Sequence, residues 1–184
     1  MNCLQDCLNS LSDWTGLKAI PALLPFSAYE DAVQLDVPSL SQTDDYSCGA
    51  IAAWSIVETF RPRANFEKFY DLVWPEPGVG VGPKRVLAAL KKFRIGTQVR
   101  RGMKWKDIRA TIDEGFPMLI GTGKEDPDSQ GDHWSTLVGY ATHPRRVFLG
   151  NQPGLLRNRV CVDWAEFREE WWNPPAVAII CWGK

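Results

Sequence analysis

The sequence predicts an α+β protein in which a helical N-terminal half packs on an antiparallel sheet formed by the C-terminal half. Up to about residue 115, apolar residues recur at the three- and four-residue steps of helices. From Pro117 onward, short apolar runs alternate with polar connections, as in strands. With 184 residues, 45% of them hydrophobic and 23% charged, the chain can bury one domain-sized core. Helices first and strands second therefore indicate a two-part α+β architecture.

The helical half begins with an apolar stripe that ends at Ile20-Pro21, because the residue before a proline disfavours the helical conformation. A short edge strand follows at 33–38, where apolar and polar residues alternate up to Pro38. The helix that starts at Cys48 is apolar on nearly every side, so we expect it to be central and buried. Gly115 is the expected C-cap of the last helix. The predicted helices span 2–19, 48–60, 65–73, 83–93 and 105–114.

The second half is predicted to contain one further helix and most of the strands. Asp163 is the expected N-cap of that helix, which spans 163–171. The predicted strands span 97–100, 117–121, 133–140, 146–149, 159–162 and 176–180.

Charge and composition exclude several classes of function. The net charge of -1 provides no field for nucleic acid or anionic lipid, and no run approaches the roughly 20 apolar residues of a membrane span. Five cysteines without a Cys-x-x-Cys pair and only two histidines argue against a metal, and we expect no cofactor. The glycine-rich stretch 78–82 is not a phosphate loop, since Arg85 follows Lys84 where Ser or Thr is required. Without a basic n-region at the N-terminus we expect a cytoplasmic protein.

Cys48 is the first candidate for chemistry. It follows a polar loop and opens the central helix, where free backbone N–H groups and the helix dipole stabilise a thiolate and lower its pKa. Gln42 lies six residues earlier and, with the Cys48 N–H, could donate to the oxyanion formed when the sulfur attacks a carbonyl. The simpler alternative is that Cys48 is a small buried core residue.

A cysteine nucleophile needs a base and a group that orients the base. His133 begins an apolar strand, which predicts a ring at a surface edge, whereas His143 lies in a turn-rich segment and is expected to be solvated. The hairpin 133–140/146–151 returns Asn151 or Gln152 to the side of His133, where an amide oxygen could fix the imidazole tautomer. Asn151 is favoured, and the alternative is that it only forms a turn before Pro153.

Three stretches together resemble the papain-like cysteine peptidases, and most closely the bacterial branch of double-glycine leader (bacteriocin-processing) peptidases. They are 42–50 (QTDDYSCGA), 116–120 (FPMLI) and 133–140 (HWSTLVGY). The resemblance implies a papain-like domain at 31–184, preceded by a helical extension at 1–30 that it does not cover. It implies that Cys48 is the nucleophile, His133 the general base and Gln42 the oxyanion donor.

One position departs from that branch, which usually has an aspartate directly before a proline. Here the chain reads Asn151-Gln152-Pro153, so an amide replaces the carboxylate with one residue added, or Gln152 takes the position. Papain itself uses an asparagine, so activity is compatible with this change. The departure weakens any inference that the protein cleaves after a double glycine.

The leading hypothesis is a cysteine peptidase acting on a peptide or protein through a Cys-His-Asn triad. Glutamine deamidation or acyl transfer on the same scaffold would share its thioester chemistry and is the first alternative. A catalytically silent, peptide-binding relative is the second. Trp134 is expected to wall a substrate subsite beside the base.

Overall fold

A computed structural model describes residues 20–21, 29–40, 42, 44, 46–122, 133–150, 159–171 and 177–184. The predicted helix at 2–19 lies outside these residues, and the division into an extension and a domain at residue 30 stays a prediction. No helix in the described part of the chain is long and apolar enough to cross a bilayer.

The described helices begin and end close to where the sequence predicts. Asn65 caps the second helix, accepting a hydrogen bond from the Lys68 N–H at 2.8 Å, and Pro83 opens the third at a position where no N–H is needed. Gly115 follows the fourth helix with a φ of 82°, which favours glycine. The helices are α1 (Cys48–Phe60), α2 (Phe66–Val73), α3 (Pro83–Lys92), α4 (Trp105–Asp113) and α5 (Trp164–Trp171).

The described strands form one eight-stranded antiparallel sheet. Its order is β1-β7-β6-β5-β4-β8-β3, and β2 adds to β5. The strands are β1 (Ile20–Pro21), β2 (Val33–Gln34), β3 (Ile95–Arg101), β4 (Met118–Thr122), β5 (His133–Thr142), β6 (Arg145–Gly150), β7 (Arg159–Asp163) and β8 (Val177–Gly183). The predicted α+β class is confirmed, and the edge strand expected at 33–38 is shorter than predicted.

The sheet separates two hydrophobic clusters, because successive side chains of a strand point to opposite faces. On one face, α1, α2 and α3 pack against residues such as Leu119 and Val138. On the other face, α4 and α5 pack against the neighbouring positions Met118 and Ile120. Helix α1 is thus held between the sheet and two further helices, and its first residue, Cys48, meets the sheet at the start of β5.

Candidate active site

The loop before α1 is folded by Asp44. Its carboxylate accepts the backbone N–H groups of Tyr46 at 3.0 Å and Ser47 at 2.6 Å, a local turn that directs the chain into the helix. The Gln42 side-chain amide donates to the Asp44 carbonyl at 2.6 Å. An amide nitrogen carries two N–H groups, so this bond orients the Gln42 side chain and leaves a second donor on it.

Cys48 lies where helix α1 meets strand β5. The side chain is buried, with 7% of the residue exposed. Backbone N–H groups lie close enough to its sulfur to lower the pKa of the thiol from two directions: those of Gly49 and Cys48 at the helix start, and that of Trp134 on β5. Because Trp134 directly follows His133 in the chain, the sulfur of Cys48 lies against the part of β5 that carries His133.

Burial raises the pKa of the Cys48 thiol above its ordinary value, and the negative charge of Asp44 adds to the rise. The N–H groups of Trp134, Gly49 and Cys48 lower the pKa, as the sequence predicts for a helix start, but they do not outweigh desolvation. A buried thiol with a raised pKa forms little thiolate unaided at neutral pH. Chemistry at this sulfur therefore requires a base within reach.

His133 is the first residue of β5 and is only 8% exposed. The sequence predicts a ring at a surface edge, but the structure buries it. His143, by contrast, lies in the turn after β5 with its side chain 90% exposed and Nδ1 3.0 Å from the Asp31 carboxylate. The expectation that His143 is a solvated turn residue is confirmed, and of the two imidazoles His133 is the one beside the residue that contacts Cys48.

Gly49 owes its place to close packing that the sequence did not reveal. A Cβ at this position would lie 2.2 Å from Val81 Cγ1 and 3.0 Å from Trp134 Cδ1, so only glycine fits. The Trp134 indole donates to the Val81 carbonyl at 3.1 Å. Trp134 is 6% exposed, about as buried as Cys48 and His133, and it packs in the core; its role as a subsite wall stays a prediction.

Val81 is brought to this point by the turn that precedes it. The backbone N–H of Glu76 donates to the Gly80 carbonyl at 2.9 Å, and the N–H of Gly80 donates back at 2.7 Å. The glycines at 78 and 80 take φ values of 74° and 77°, which the tight turn requires. The glycine-rich stretch thus forms the turn that packs Val81 against α1. The sequence feature that could have indicated this packing is the glycine directly after Cys48.

The group predicted to orient His133 falls outside the described residues. Strand β6 ends at Gly150, opposite Thr136 of β5, so the chain leaves the hairpin on the side of His133. Asn151 and Gln152 come next and are not among the described residues. Their role stays a prediction.

Comparison with known proteins places the fold. No protein-family profile and no curated protein sequence matches the chain. Among solved structures, a C39-like peptidase from Bacillus anthracis is similar with a TM-score of 0.67 and 14% identity, covering 83% of this chain and 98% of that one. The peptidase domain of Streptococcus ComA, a bifunctional ABC transporter of a quorum-sensing pathway, is similar with a TM-score of 0.60 and 16% identity, covering 83% and 99%.

A third similar structure is a double-glycine-motif protease from an AMS/PCAT transporter in complex with its leader peptide. Its TM-score is 0.59 at 14% identity, and the match covers 82% of this chain and 94% of that one. At identities this low the likeness establishes the fold and not the activity. The chain therefore has the papain-like fold of the double-glycine peptidase domains, as the three stretches around Gln42, Pro117 and His133 predict.

Proposed function

We propose that this protein is a cysteine peptidase that hydrolyses peptide bonds through Cys48 and His133. The observation that carries the proposal is the position of the Cys48 sulfur at the start of β5, close enough to the Trp134 N–H for that group to lower the pKa of the thiol, and Trp134 directly follows His133. Because burial raises the pKa of this thiol, the proposed reaction requires a base, and the neighbouring imidazole of His133 is the candidate. The papain-like fold of the peptidase domains supports the same reading.

In the proposed reaction, His133 takes the proton of the Cys48 thiol, and the sulfur attacks the carbonyl carbon of the scissile bond. The carbonyl oxygen becomes an oxyanion that accepts from the Gln42 side chain and the Cys48 N–H. The protonated imidazole then gives its proton to the leaving amine as the C–N bond breaks. Water, deprotonated by His133, attacks the thioester and releases the acid, which restores the thiol.

The finer assignments belong to the same proposal. Asn151, with Gln152 as the alternative, would accept the Nδ1–H of His133 and fix the tautomer that takes the proton at Nε2. The substrate would be a peptide or protein segment, a class supported by the leader peptide bound to one protein of similar fold. Cleavage after a double glycine is not part of the proposal, because the Asn151-Gln152-Pro153 sequence departs from that branch.

The test uses the whole chain and a library of peptides from a digested proteome, with new termini identified by mass spectrometry. We expect cleavage by the wild type and a loss of more than about 1,000-fold in Cys48→Ala and in His133→Ala, since nucleophile and base act as a unit. Two matched controls separate chemistry from folding. Cys161→Ala removes another buried thiol, and His143→Ala removes the other imidazole.

Iodoacetamide labelling provides a second readout that needs no substrate. Burial raises the pKa of all three thiols, that of Cys181 to about 12, so Cys48 should be alkylated well before Cys161 and Cys181 only if His133 takes its proton as proposed. Cleavage that survives Cys48→Ala would overturn the proposal. Intact peptides that gain about one dalton, with no new termini, would replace peptidase by the deamidase alternative on the same thioester chemistry.

A further inference from the structure

A cavity of about 470 Å³ lies at the opposite end of helix α1 from Cys48. It is formed where the chain leaves α1 and where it leaves α3. The described residues that line it are Phe60, Arg61, Pro62, Arg63, Ala64, Lys92, Phe93 and Arg94. With a rise of 1.5 Å per residue, α1 sets this cavity about 18 Å from Cys48, so it is separate from the candidate active site.

The charged residues in the described lining of this cavity are all basic. Four of its eight lining residues are arginine or lysine and none is acidic, in a chain with 21 basic and 22 acidic residues. The side chains of Arg63, Lys92 and Arg94 are exposed, and within the described residues they make no hydrogen bond or ion pair. The C-termini of α1 and α3 each carry about half a negative charge from the helix dipole, and together they offset roughly one of these positive charges. A net positive potential remains, which favours an anion.

The interior of the cavity is apolar and fixed. Phe60 and Phe93 are partly buried, and the Phe93 ring is held edge-on against Trp54 and Phe69, at centroid distances of 6.4 and 5.3 Å. A ligand would therefore meet a packed aromatic surface next to the basic residues of the same lining. Because such a surface is already ordered, binding an apolar group does not incur the entropic cost of ordering its side chains.

Arg61 holds the two walls together. Its guanidinium donates to the Phe60 carbonyl at 2.7 Å, to the Arg94 carbonyl at 3.0 Å and to the Lys184 carbonyl. Arg94 lies in the left-handed region with a φ of 57°, a conformation that favours glycine. These hydrogen bonds hold the turn that carries the basic residues, so the role of Arg61 in the cavity is structural.

We propose that this cavity binds an amphipathic carboxylate: an aromatic or aliphatic group that contacts Phe60 and Phe93, joined to a carboxylate that Arg63, Lys92 and Arg94 attract. Both a free organic acid and a peptide ending in an apolar residue have this chemistry. A polyanion such as nucleic acid fits less well, because a pit of this volume takes one or two side chains and the net charge of the chain is -1. The site does not depend on the activity of Cys48.

Binding is measured on the whole chain by calorimetry or by chemical-shift changes, with pairs of probes that differ in one property. N-acetylphenylalanine carries both the ring and the carboxylate, N-acetylphenylalaninamide lacks the charge, and acetate lacks the ring. We expect the first to bind in the millimolar range or tighter, and the other two at least about tenfold more weakly, the order of effect of losing one ionic or one aromatic contact. Binding should weaken at high salt, since exposed charges are screened.

Variants locate the binding site. Arg63→Gln/Lys92→Gln should weaken binding of N-acetylphenylalanine several-fold, because each exposed ion pair contributes modestly. Lys106→Gln, an equally exposed cation on α4, is the matched control and should leave it unchanged. The affinity of a short peptide ending in a free phenylalanine is compared with that of N-acetylphenylalanine, which shows whether a peptide terminus or a free acid is the better ligand. The same peptide with an amidated terminus is the control for the carboxylate.

Three results would overturn the proposal. They are equal affinity for the acid and its amide, binding that Arg63→Gln/Lys92→Gln leaves intact, and a single-stranded oligonucleotide that binds through these cations where the carboxylates do not. The proposed peptidase activity stands or falls separately, because Cys48→Ala should keep full binding of N-acetylphenylalanine.

Discussion

The two ends of helix α1 are built in opposite ways. At the N-terminal end, Cys48 and Gly49 are buried against β5 and the turn that carries Val81, and a methyl group added at Gly49 would overlap Val81. At the C-terminal end, the chain opens into a cavity of about 470 Å³ with exposed cations, held by the hydrogen bonds of Arg61. Close packing fixes the N-terminal end, whereas hydrogen bonds from Arg61 add to aromatic packing at the C-terminal end.

The difference follows from what each end must satisfy. A thiol held among backbone N–H groups reacts only if its position is fixed within a fraction of an ångström, and close packing provides that. Carbonyl groups at a helix C-terminus lack intrahelical partners and accept a guanidinium readily, which needs no close packing. The same helix therefore carries a closely packed end, where we propose the reaction, and an open, charged end. The predictions below test each end in turn.

After the loss expected for Cys48→Ala and His133→Ala, the largest effect is expected at Gln42, the proposed oxyanion donor at the N-terminal end. Gln42→Ala should lower kcat by about 100- to 1,000-fold with little change in KM, because an oxyanion donor acts mainly in the transition state. The measurement is peptide cleavage at saturating substrate, with Gln98→Ala, an exposed glutamine on β3, as the matched control. An unchanged kcat in Gln42→Ala would mean that the oxyanion is held by backbone groups alone.

Gly49→Ala tests the close packing of the N-terminal end. The added methyl group would overlap Val81 Cγ1 at 2.2 Å, and overpacking of this kind typically costs about 1–3 kcal/mol in the free energy of unfolding. Denaturant unfolding measures the loss, and Gly121→Ala is the control, since a Cβ there would meet none of the described residues within 4 Å.

The double variant Gly49→Ala/Val81→Ala makes the Gly49 test specific. Removing the two methyl groups of Val81 should restore part of the stability lost in Gly49→Ala, so that the two changes are not additive. Additive losses would indicate that the helix moves away from the turn, and that the contact between Gly49 and Val81 does not limit the packing.

Arg61→Ala tests the C-terminal end and should have a smaller effect. It removes donors from the carbonyls of Phe60, Arg94 and Lys184, two of these bonds being exposed to solvent, so we expect a loss of about 1 kcal/mol in unfolding free energy. Arg63→Ala is the matched control, since its side chain makes no such bond within the described residues. Cleavage by Cys48 should be unaffected, and a large fall in kcat would show that the two ends are coupled.

The contrast between the two ends also marks what the sequence could predict. Helical spacing and caps such as Asn65 and Asp163 are local, so the helices and most strands follow from the chain itself. Cys48 and His133 could be paired because the chain has only two histidines and one lies on a predicted strand.

Contacts between residues far apart in sequence could not be predicted. The packing of Gly49 against Val81 and Trp134, and the cavity formed by the ends of α1 and α3, arise only when the helices are docked. The sequence predicts a lowered pKa for the Cys48 thiol, whereas burial raises it, because desolvation depends on everything packed around the sulfur.

The smallest effect expected is electrostatic and concerns Asp44. Its charge raises the pKa of the Cys48 thiol, while its Oδ1 accepts the N–H groups of Tyr46 and Ser47. Asp44→Asn keeps that acceptor oxygen and removes the charge, so the loop should stay folded and the pKa of Cys48 should fall. More thiolate then forms at a given pH, and the profile of iodoacetamide alkylation against pH moves to lower pH. Asp36→Asn, an exposed carboxylate that is not among the causes of the Cys48 shift, should leave the profile in place. A move to higher pH in Asp44→Asn would show that this carboxylate acts on the thiol through the geometry of the loop, and that its charge is secondary.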